Sequence, residues 1–473
     1  MTGHWVLALS LAASAAHSQT ANRNKLVFVI PQAVEARPQL TITTKEVDPF
    51  RNAADFAAVA GSNASFDRIS SGLLRPFNIG IATQLSTLPI ASPASGVIFR
   101  EDVETGVVVP AAESLGTILT ERAETIGKRR FYAGFTRQQF RFDRLEGRKL
   151  GSLTALDPGG VDTRILQDGA RQTTSPTTMG TQIDLRLDQN IVFVTYGLTN
   201  RFDVSAAMTW VNATASALAF DAQIHNTGDP FAQGTCWCAQ TFDVNLSRQT
   251  FEQDFGRSGL VLPGIFGRAR ASSTGIGDTL LRFKGAVLQG ERAALALGAD
   301  VRLPTGDELD YHGAGAAGFK PFAAVSLHSG KVGPLRLSPN FNAGYQVNGK
   351  SVLAGDIFTG RKESLPNAFI WSAGTGVSIA DRFTLLTDIL GTTLIDATRL
   401  TPATVPARGQ GIAPASGVAV ASGKQTYTMT SGAFGFKVKL AGNMVFTSNM
   451  LVAFNDTGLR DRIVPLFGIG YTY

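Results

Sequence analysis

The chain ends on the segment Arg462-Ile-Val-Pro-Leu-Phe-Gly-Ile-Gly-Tyr-Thr-Tyr473. Side chains alternate between the two faces of a strand. A strand built from this segment therefore has one broad apolar face, formed by Ile463, Pro465, Phe467, Ile469, Tyr471 and Tyr473. Tyr side chains suit a lipid–water interface, and an amphipathic strand with aromatic residues at its end is typical of a transmembrane β-barrel. The alternative is an edge strand of a soluble β-sandwich.

The beginning of the chain favours export. Residues 5–16 form an apolar run that is too short to span a bilayer, and Ala16-His17-Ser18 then fits a cleavage site before Gln19. The Lys or Arg expected near the start of such a segment is missing. We predict a signal peptide at residues 1–18 and a protein of the cell outer membrane.

The composition agrees with strands whose alternate residues face lipid. Apolar residues make up 44% of the chain and charged residues 17%. No later stretch has about 18 uninterrupted apolar residues, so no transmembrane helix is expected. The formal net charge is +6, but the basic residues are scattered among acidic ones, which argues against a nucleic-acid partner.

From residue 131 onward, amphipathic strands alternate with short and long connections. The short connections lie near 197–202, 289–292, 328–333, 379–382 and 440–443. The long ones lie near 145–181, 222–275, 304–317, 348–366, 396–425 and 455–461. This rhythm predicts an all-β fold: an antiparallel transmembrane β-barrel of about 12 strands at residues 130–473, with short turns in the periplasm.

Residues 19–129 do not follow this pattern. The sequence predicts a strand at 25–30 and short helices at 53–60 and 114–126. A segment of this size before a barrel is either a periplasmic extension or a plug inside the lumen, and we favour a partial plug.

Charged residues of several predicted strands share the face opposite the apolar one. Charge is costly on lipid and natural in a wet lumen. The residues predicted to line the lumen are Asp184, Arg186, Asp188, Asp278, Arg282, Lys284, Asp300, Arg302, Asp388, Lys437 and Lys439. Facing opposite charges would pair, narrow the pore and set its field. Alternatively, they are neutral pairs that fill a closed barrel.

One segment matches a nucleotide-binding pattern. Gly344-Tyr-Gln-Val-Asn-Gly-Lys-Ser351 has the spacing of a P-loop, in which Lys350 would contact phosphates. That mechanism needs a loop between a buried strand and a helix. Gly344 instead lies inside a predicted amphipathic strand, and a Gly-interrupted loop follows. We interpret the match as chance and expect no nucleotide.

Cys236 and Cys238 lie in a predicted long loop. This spacing allows a small strained ring, a metal site or pairing between chains. A zinc site needs about four ligands, and only His225 is near. In an oxidising compartment a disulfide is favoured. We predict no metal and no cofactor.

His312 lies near Asp307, Glu308 and Asp310, which is the best candidate for a catalytic cluster at the rim. Solvated acidic loops are much commoner than such clusters. We therefore do not expect an enzyme.

Two segments carry a resemblance to a known family. They are Gly275-Ile-Gly-Asp-Thr-Leu-Leu-Arg-Phe-Lys284 and Leu297-Gly-Ala-Asp-Val-Arg-Leu-Pro-Thr-Gly-Asp307. They resemble the paired signature of the outer-membrane family named for the meta-pathway of phenol degradation, which is similar to fatty-acid and aromatic-hydrocarbon transporters. Residues 114–131 also resemble the approach to the first strand in such proteins. In this interpretation Gly275 and Gly277 let a strand begin, and Pro304-Thr-Gly306 breaks the next one.

The sequence and the resemblance together predict a channel for passive uptake of small molecules, plausibly hydrophobic or aromatic. The expected partners are outer-membrane lipid and lipopolysaccharide, a small solute, and the barrel-assembly machinery, which would bind the C-terminal strand. The alternative is a non-transporting structural or adhesive barrel that displays its long loops.

Overall fold

The computed structural model describes residues 24–35, 40–46, 62–86, 99–101, 108–110, 117, 119–165, 171–225, 241–246, 249–254, 260–290, 292–328, 335–379, 382–406, 414–421 and 423–473. The predicted signal peptide (1–18), the helix predicted at 53–60, and Cys236 and Cys238 lie outside these residues.

Twelve antiparallel strands form a closed barrel. They are β1 (Phe131–Phe142), β2 (Arg171–Thr199), β3 (Phe202–Ile224), β4 (Leu260–Gln289), β5 (Ala293–Leu303), β6 (Gly318–Leu327), β7 (Leu335–Asn348), β8 (Asn367–Ile379), β9 (Phe383–Ala397), β10 (Gln425–Lys439), β11 (Met444–Ala453) and β12 (Ile463–Thr472). Each strand pairs with the next, and β12 pairs with β1 to close the ring. The main-chain N–H of Tyr473 donates to the carbonyl of Phe131 at 2.8 Å across this seam. The predicted 12-stranded barrel is confirmed.

The outer face of the barrel is apolar. Large hydrophobic side chains are exposed on alternate residues of successive strands, among them Phe283, Leu297, Phe319, Phe341, Phe369, Phe434 and Phe467. Phe131, Tyr471 and Tyr473 form an exposed aromatic group where the barrel closes. An exposed apolar band with aromatic residues at its margin is the outer surface that a lipid bilayer requires.

The barrel has two unlike ends. We call them the short-turn end, where few residues separate β2 from β3, β4 from β5, β6 from β7, β8 from β9 and β10 from β11, and the long-connection end. At the long-connection end β2, β3 and β4 continue well beyond the other strands, with 29, 23 and 30 residues. Much of the predicted loops 145–181 and 222–275 is therefore strand. The strand Leu153–Ile165 pairs with the extended part of β2 and carries a second hairpin, Leu400–Val405 and Ala415–Val420.

Two helices close off the long-connection end. A 3₁₀ turn, Leu26–Phe28, leads into α1 (Val29–Glu35), and α2 spans Ser62–Ser86. The strand predicted at 25–30 is wrong, because this apolar run packs as a buried turn and helix, and Pro31 is tolerated in a first helical turn. α2 contacts Leu153–Ile165 and Lys350–Asp356. None of the helices in the described part of the chain is long and apolar enough to cross a membrane.

Residues 119–126 are not helical, contrary to the prediction of a helix at 114–126. Four of their main-chain N–H groups donate to barrel side chains instead of to carbonyls of their own segment. These bonds replace the internal ladder that a helix would need, since every buried N–H requires an acceptor. The segment is therefore extended and held by the wall.

Candidate functional site

The inner wall carries an ion network at one height. Arg282 of β4, Asp300 of β5 and Lys320 of β6 are direct register partners on adjacent strands. The Arg282 guanidinium donates to both Asp300 carboxylate oxygens, at 2.7 and 2.9 Å, and Lys320 Nζ lies 2.8 Å from the same carboxylate. Opposite charges on adjacent strands stabilise the pairing, and bidentate geometry fixes the guanidinium. Asp300 thus balances two cations.

A buried segment crosses the inside of the barrel, and we call residues 119–126 the strap. Its Glu121 carboxylate accepts from Arg282 Nη1 at 2.6 Å and from Lys284 Nζ at 2.8 Å. Lys284 also donates to the carbonyls of Arg122 and Glu124, at 3.1 and 2.8 Å. The strap therefore completes the charge balance of the wall, because Lys284 finds three of its acceptors on it.

Further tethers spread the strap over distant strands. The N–H groups of Leu119, Ala123 and Ile126 donate to Asp388 of β9, Ser326 of β6 and Asp203 of β3, at 2.8, 2.9 and 3.0 Å respectively. Asp203, Ser326 and Lys437, whose Nζ donates to the Thr117 carbonyl at 2.6 Å, all lie near the short-turn ends of their strands. The strap thus crosses the lumen close to the short-turn end.

A side-chain-sized gap makes one of these tethers possible. Gly374 of β8 is the register partner of Asp388, and a Cβ at Gly374 would overlap the Asp388 carboxylate. The absent side chain leaves the carboxylate free to reach the strap. We infer that glycine is needed here for space and not for backbone conformation.

A cavity of about 160 Å³ lies inside the barrel, between the strap and α2. Glu121 and Leu119 line it from the strap, and Gln84 lines it from α2. Its walls combine apolar and polar groups, and the inward-facing apolar side chains among them are Phe322, Ile370, Leu390, Met429 and Leu451. Three basic side chains, Arg282, Lys320 and Arg460, also border it. Concave apolar sites with a few placed polar groups are the usual form of small-molecule sites.

The cavity is covered at the long-connection end by α2 and the loop before β12. Gln84 Nε2 donates to the Leu459 carbonyl at 3.2 Å, and a Cβ at Gly80 would come within 2.8 Å of Leu459 Cβ. Arg460 donates to the carbonyl and side-chain oxygens of Asn455, at 3.2 and 3.0 Å, and to the Thr430 carbonyl. Burial lowers the pKa of Arg460 to about 10, although the charge of Asp456 opposes this shift, so Arg460 remains charged at neutral pH.

The two segments that resemble a family signature form one structural unit. Asp278 accepts from the N–H groups of Gly306 and Ala314, at 3.2 and 2.9 Å, and so clamps the connection from β5 to β6. Gly275 and Gly277 lie in the middle of β4, so they do not begin a strand as predicted. A Cβ at Gly277 would lie 2.9 Å from the His312 carbonyl oxygen; these glycines therefore make room for the connection. β5 ends at Leu303, just before Pro304.

The predicted lumen residues fall into two groups. Asp278, Lys284, Asp300, Arg302, Asp388 and Lys437 are buried inside the barrel, with Arg282 nearly so, and Lys439 is half-buried at the short-turn end. Asp184, Arg186 and Asp188 instead point outward, and the prediction for these three is wrong. On β2 it is the apolar face that is buried, including Ile183, Leu185 and Leu187, because it packs in the core that also contains α1 and α2.

The other sequence candidates have structural roles in the described residues. Asp307 and Asp310 bind Lys25, at 2.8 and 2.6 Å, and this contact lowers the pKa of Asp307, although burial opposes it. Glu308 accepts from Ser351 at 2.6 Å. The P-loop match also lacks its fold, because Gly344 lies inside β7 and Lys350 begins a strand.

Sequence reasoning missed Glu121, Lys320 and Arg460. Lys320 had a usable signal, since it alternates with outward-facing Phe319 and Pro321. Glu121 was hidden in a segment predicted to be helical. Arg460 lies just before the closing strand, and no pattern marks its inward direction.

No protein-family model and no curated protein sequence matches the chain. Solved structures with a similar shape include an outer membrane channel from Pseudomonas putida F1, at 9% identity and a TM-score of 0.43, over 74% of this chain and 98% of that one. The CymD monoaromatic hydrocarbon channel matches at 9% identity and 0.27, over 73% and 88%. The transport unit of the autotransporter AIDA-I from Escherichia coli matches at 9% and 0.27, over 84% and 99%.

Proposed function

We propose that this protein is an outer-membrane channel for passive uptake of small molecules that are hydrophobic or aromatic. The observation that carries the proposal is the amphipathic cavity inside a closed transmembrane barrel. A barrel that served only as a scaffold would fill its interior with paired side chains, whereas this one keeps about 160 Å³ of space beside charged groups. No catalytic step is part of the proposal.

In this proposal the short-turn end faces the periplasm, and the strap closes the channel as a partial plug. Leu119, Ala123 and Ile126 of the strap pack against apolar residues of the wall, and its other contacts are hydrogen bonds and ion pairs. Such contacts exchange with water when a segment moves, so the lumen can open without loss of the barrel. The apolar outer face would contact lipid, the long connections would meet lipopolysaccharide, and β12 would be recognised by the assembly machinery.

Single-channel recording of the refolded protein in planar bilayers tests the proposal. We expect the wild type to conduct rarely, and Glu121→Gln to open more often because Arg282 and Lys284 lose their charged partner on the strap. Asp184→Asn is the matched control, since Asp184 is exposed on the outer side of β2, and it should behave as wild type. Folded barrels of all three forms that never conduct would refute the channel and favour a structural or adhesive barrel.

A further inference from the structure

The cavity between the strap and α2 has the size of one aromatic ring. Engineered apolar cavities of about 150 Å³ accept benzene, and the volume here is about 160 Å³. The apolar wall comes from four different strands through Phe322, Ile370, Leu390 and Met429. A flat or compact apolar group of one ring therefore fits this space.

The charges around this cavity are unequal. Three basic side chains border it, but only one acidic side chain, Glu121, does so. Arg282 and Lys320 are bound to Asp300, and Arg282 also to Glu121. Arg460 differs from both, because it donates to carbonyl and amide oxygens. Among the described residues no carboxylate lies within ion-pair distance of it.

A buried guanidinium whose hydrogen-bond acceptors are all neutral favours an anion in its surroundings, and the charge of Asp456 acts on Arg460 only from beyond ion-pair distance. Arg460 lies at the covered, long-connection side of the cavity, opposite the Glu121 carboxylate of the strap. An anionic group beside Arg460 would be kept apart from Glu121 by the apolar wall. The cavity therefore has a positive end towards the long connections and a negative end at the strap.

We propose that this cavity binds a small monoaromatic carboxylate, with the ring against the apolar wall and the carboxylate on Arg460. The inference rests on the channel function proposed above, because the site lies on the path through the barrel. It narrows the solute from hydrophobic molecules in general to amphipathic anions of one ring.

Isothermal titration calorimetry of the folded protein in detergent micelles tests this, with benzoate as the probe and benzyl alcohol as a neutral ligand of matched size. Benzoate should bind roughly tenfold more tightly than benzyl alcohol, since hydrogen bonds to charged groups are about twice as strong as neutral ones. Arg460→Gln should remove most of this preference. Arg462→Gln, an exposed neighbour, should leave it unchanged.

A second variant keeps the test valid if Arg460→Gln does not fold. Ile370→Trp fills the cavity and should abolish binding of both ligands while the barrel keeps its heat-modifiable migration in gels. Equal affinities for benzoate and benzyl alcohol, or benzoate binding that survives Ile370→Trp, would overturn the proposal. Calorimetry needs no current, so loss of conductance with intact benzoate binding would count against the channel and not against the site.

Discussion

Two parts of the barrel wall carry charged residues at alternate positions, but these residues face the inside in one part and the outside in the other. On β4 and β5 the charged residues Arg282, Lys284 and Asp300 face inward and are paired. On β2 the charged residues Asp184 and Arg186 face outward, with 49% and 54% of their side chains exposed, and pair with each other. The apolar residues are reversed accordingly, outside on β4 and inside on β2.

Height along the barrel explains the difference. Asp184 and Arg186 lie near the middle of β2, where its pairing with β1 ends at Leu185 and the half that surrounds the helical segments begins. The other half of β2 exposes Val192, Val194 and Tyr196 and follows the rule for a lipid-facing surface. The same alternation can therefore mean lipid outside at one height and a protein core inside at another.

The largest expected effect comes from breaking the inward network. Asp300→Ala leaves Arg282 and Lys320 without their shared carboxylate and should cost about 3–5 kcal/mol of unfolding free energy. Urea unfolding in lipid vesicles measures it. The matched outward change, Asp184→Ala, should cost less than about 1 kcal/mol, because exposed pairs contribute little. Equal losses would show that the two walls do not differ in burial.

The inner face of β2 gives the next largest effect. Leu185 is fully buried in the core that includes the helical segments, so Leu185→Ala should lose about 2–5 kcal/mol. Arg186→Ala, the adjacent residue on the outer face, should change stability by about 0.5 kcal/mol or less. The same urea titration compares them. A larger loss for Arg186→Ala than for Leu185→Ala would restore the face assignment expected from sequence.

The outer face of the closing strand, β12, gives a clear test of the rule that outward-facing residues contact lipid. Phe467 has 47% of its surface exposed and lies between buried Leu466 and Gly468. Phe467→Arg should destabilise the barrel by about 2–4 kcal/mol if the residue lies near mid-bilayer. Phe467→Leu keeps the side chain apolar and serves as the control. A mild Phe467→Arg phenotype in vesicles would place this residue outside the hydrocarbon layer.

The sequence predicted the number of strands and the rhythm of connections, because both follow from local alternation and turn residues. It also placed Arg282 and Asp300 on one face. The strap escaped prediction for a physical reason: its N–H groups are satisfied by Asp388, Ser326 and Asp203, which are distant in sequence. A local pattern contains no trace of such partners.

The outward direction of the charged residues on β2 was not predicted for a related reason. Periodicity separates two faces but does not say what each face meets, and the core against β2 comes from residues before the barrel. The apolar run at 25–30 indicated such a core, since its side chains needed another apolar surface to pack against. Recognising it as a core segment would have predicted a second apolar face inside the barrel.

The smallest effect concerns a carboxylate at the long-connection end that, unlike Asp300, has no cation within ion-pair distance among the described residues. Burial raises the pKa of Asp461 to about 6, opposed by the N–H groups of Arg141 and Ile463. The folded state therefore holds its proton more tightly than the unfolded state, whose ordinary value is near 3.8. Its stabilisation is complete below about pH 4 and is lost as pH rises towards 6. After allowance for solvent screening the change is about 1 kcal/mol. Unfolding at pH 4, 5, 6 and 7 should show this decline in the wild type and a flatter profile in Asp461→Asn. Parallel profiles for the two proteins would mean that another group titrates there.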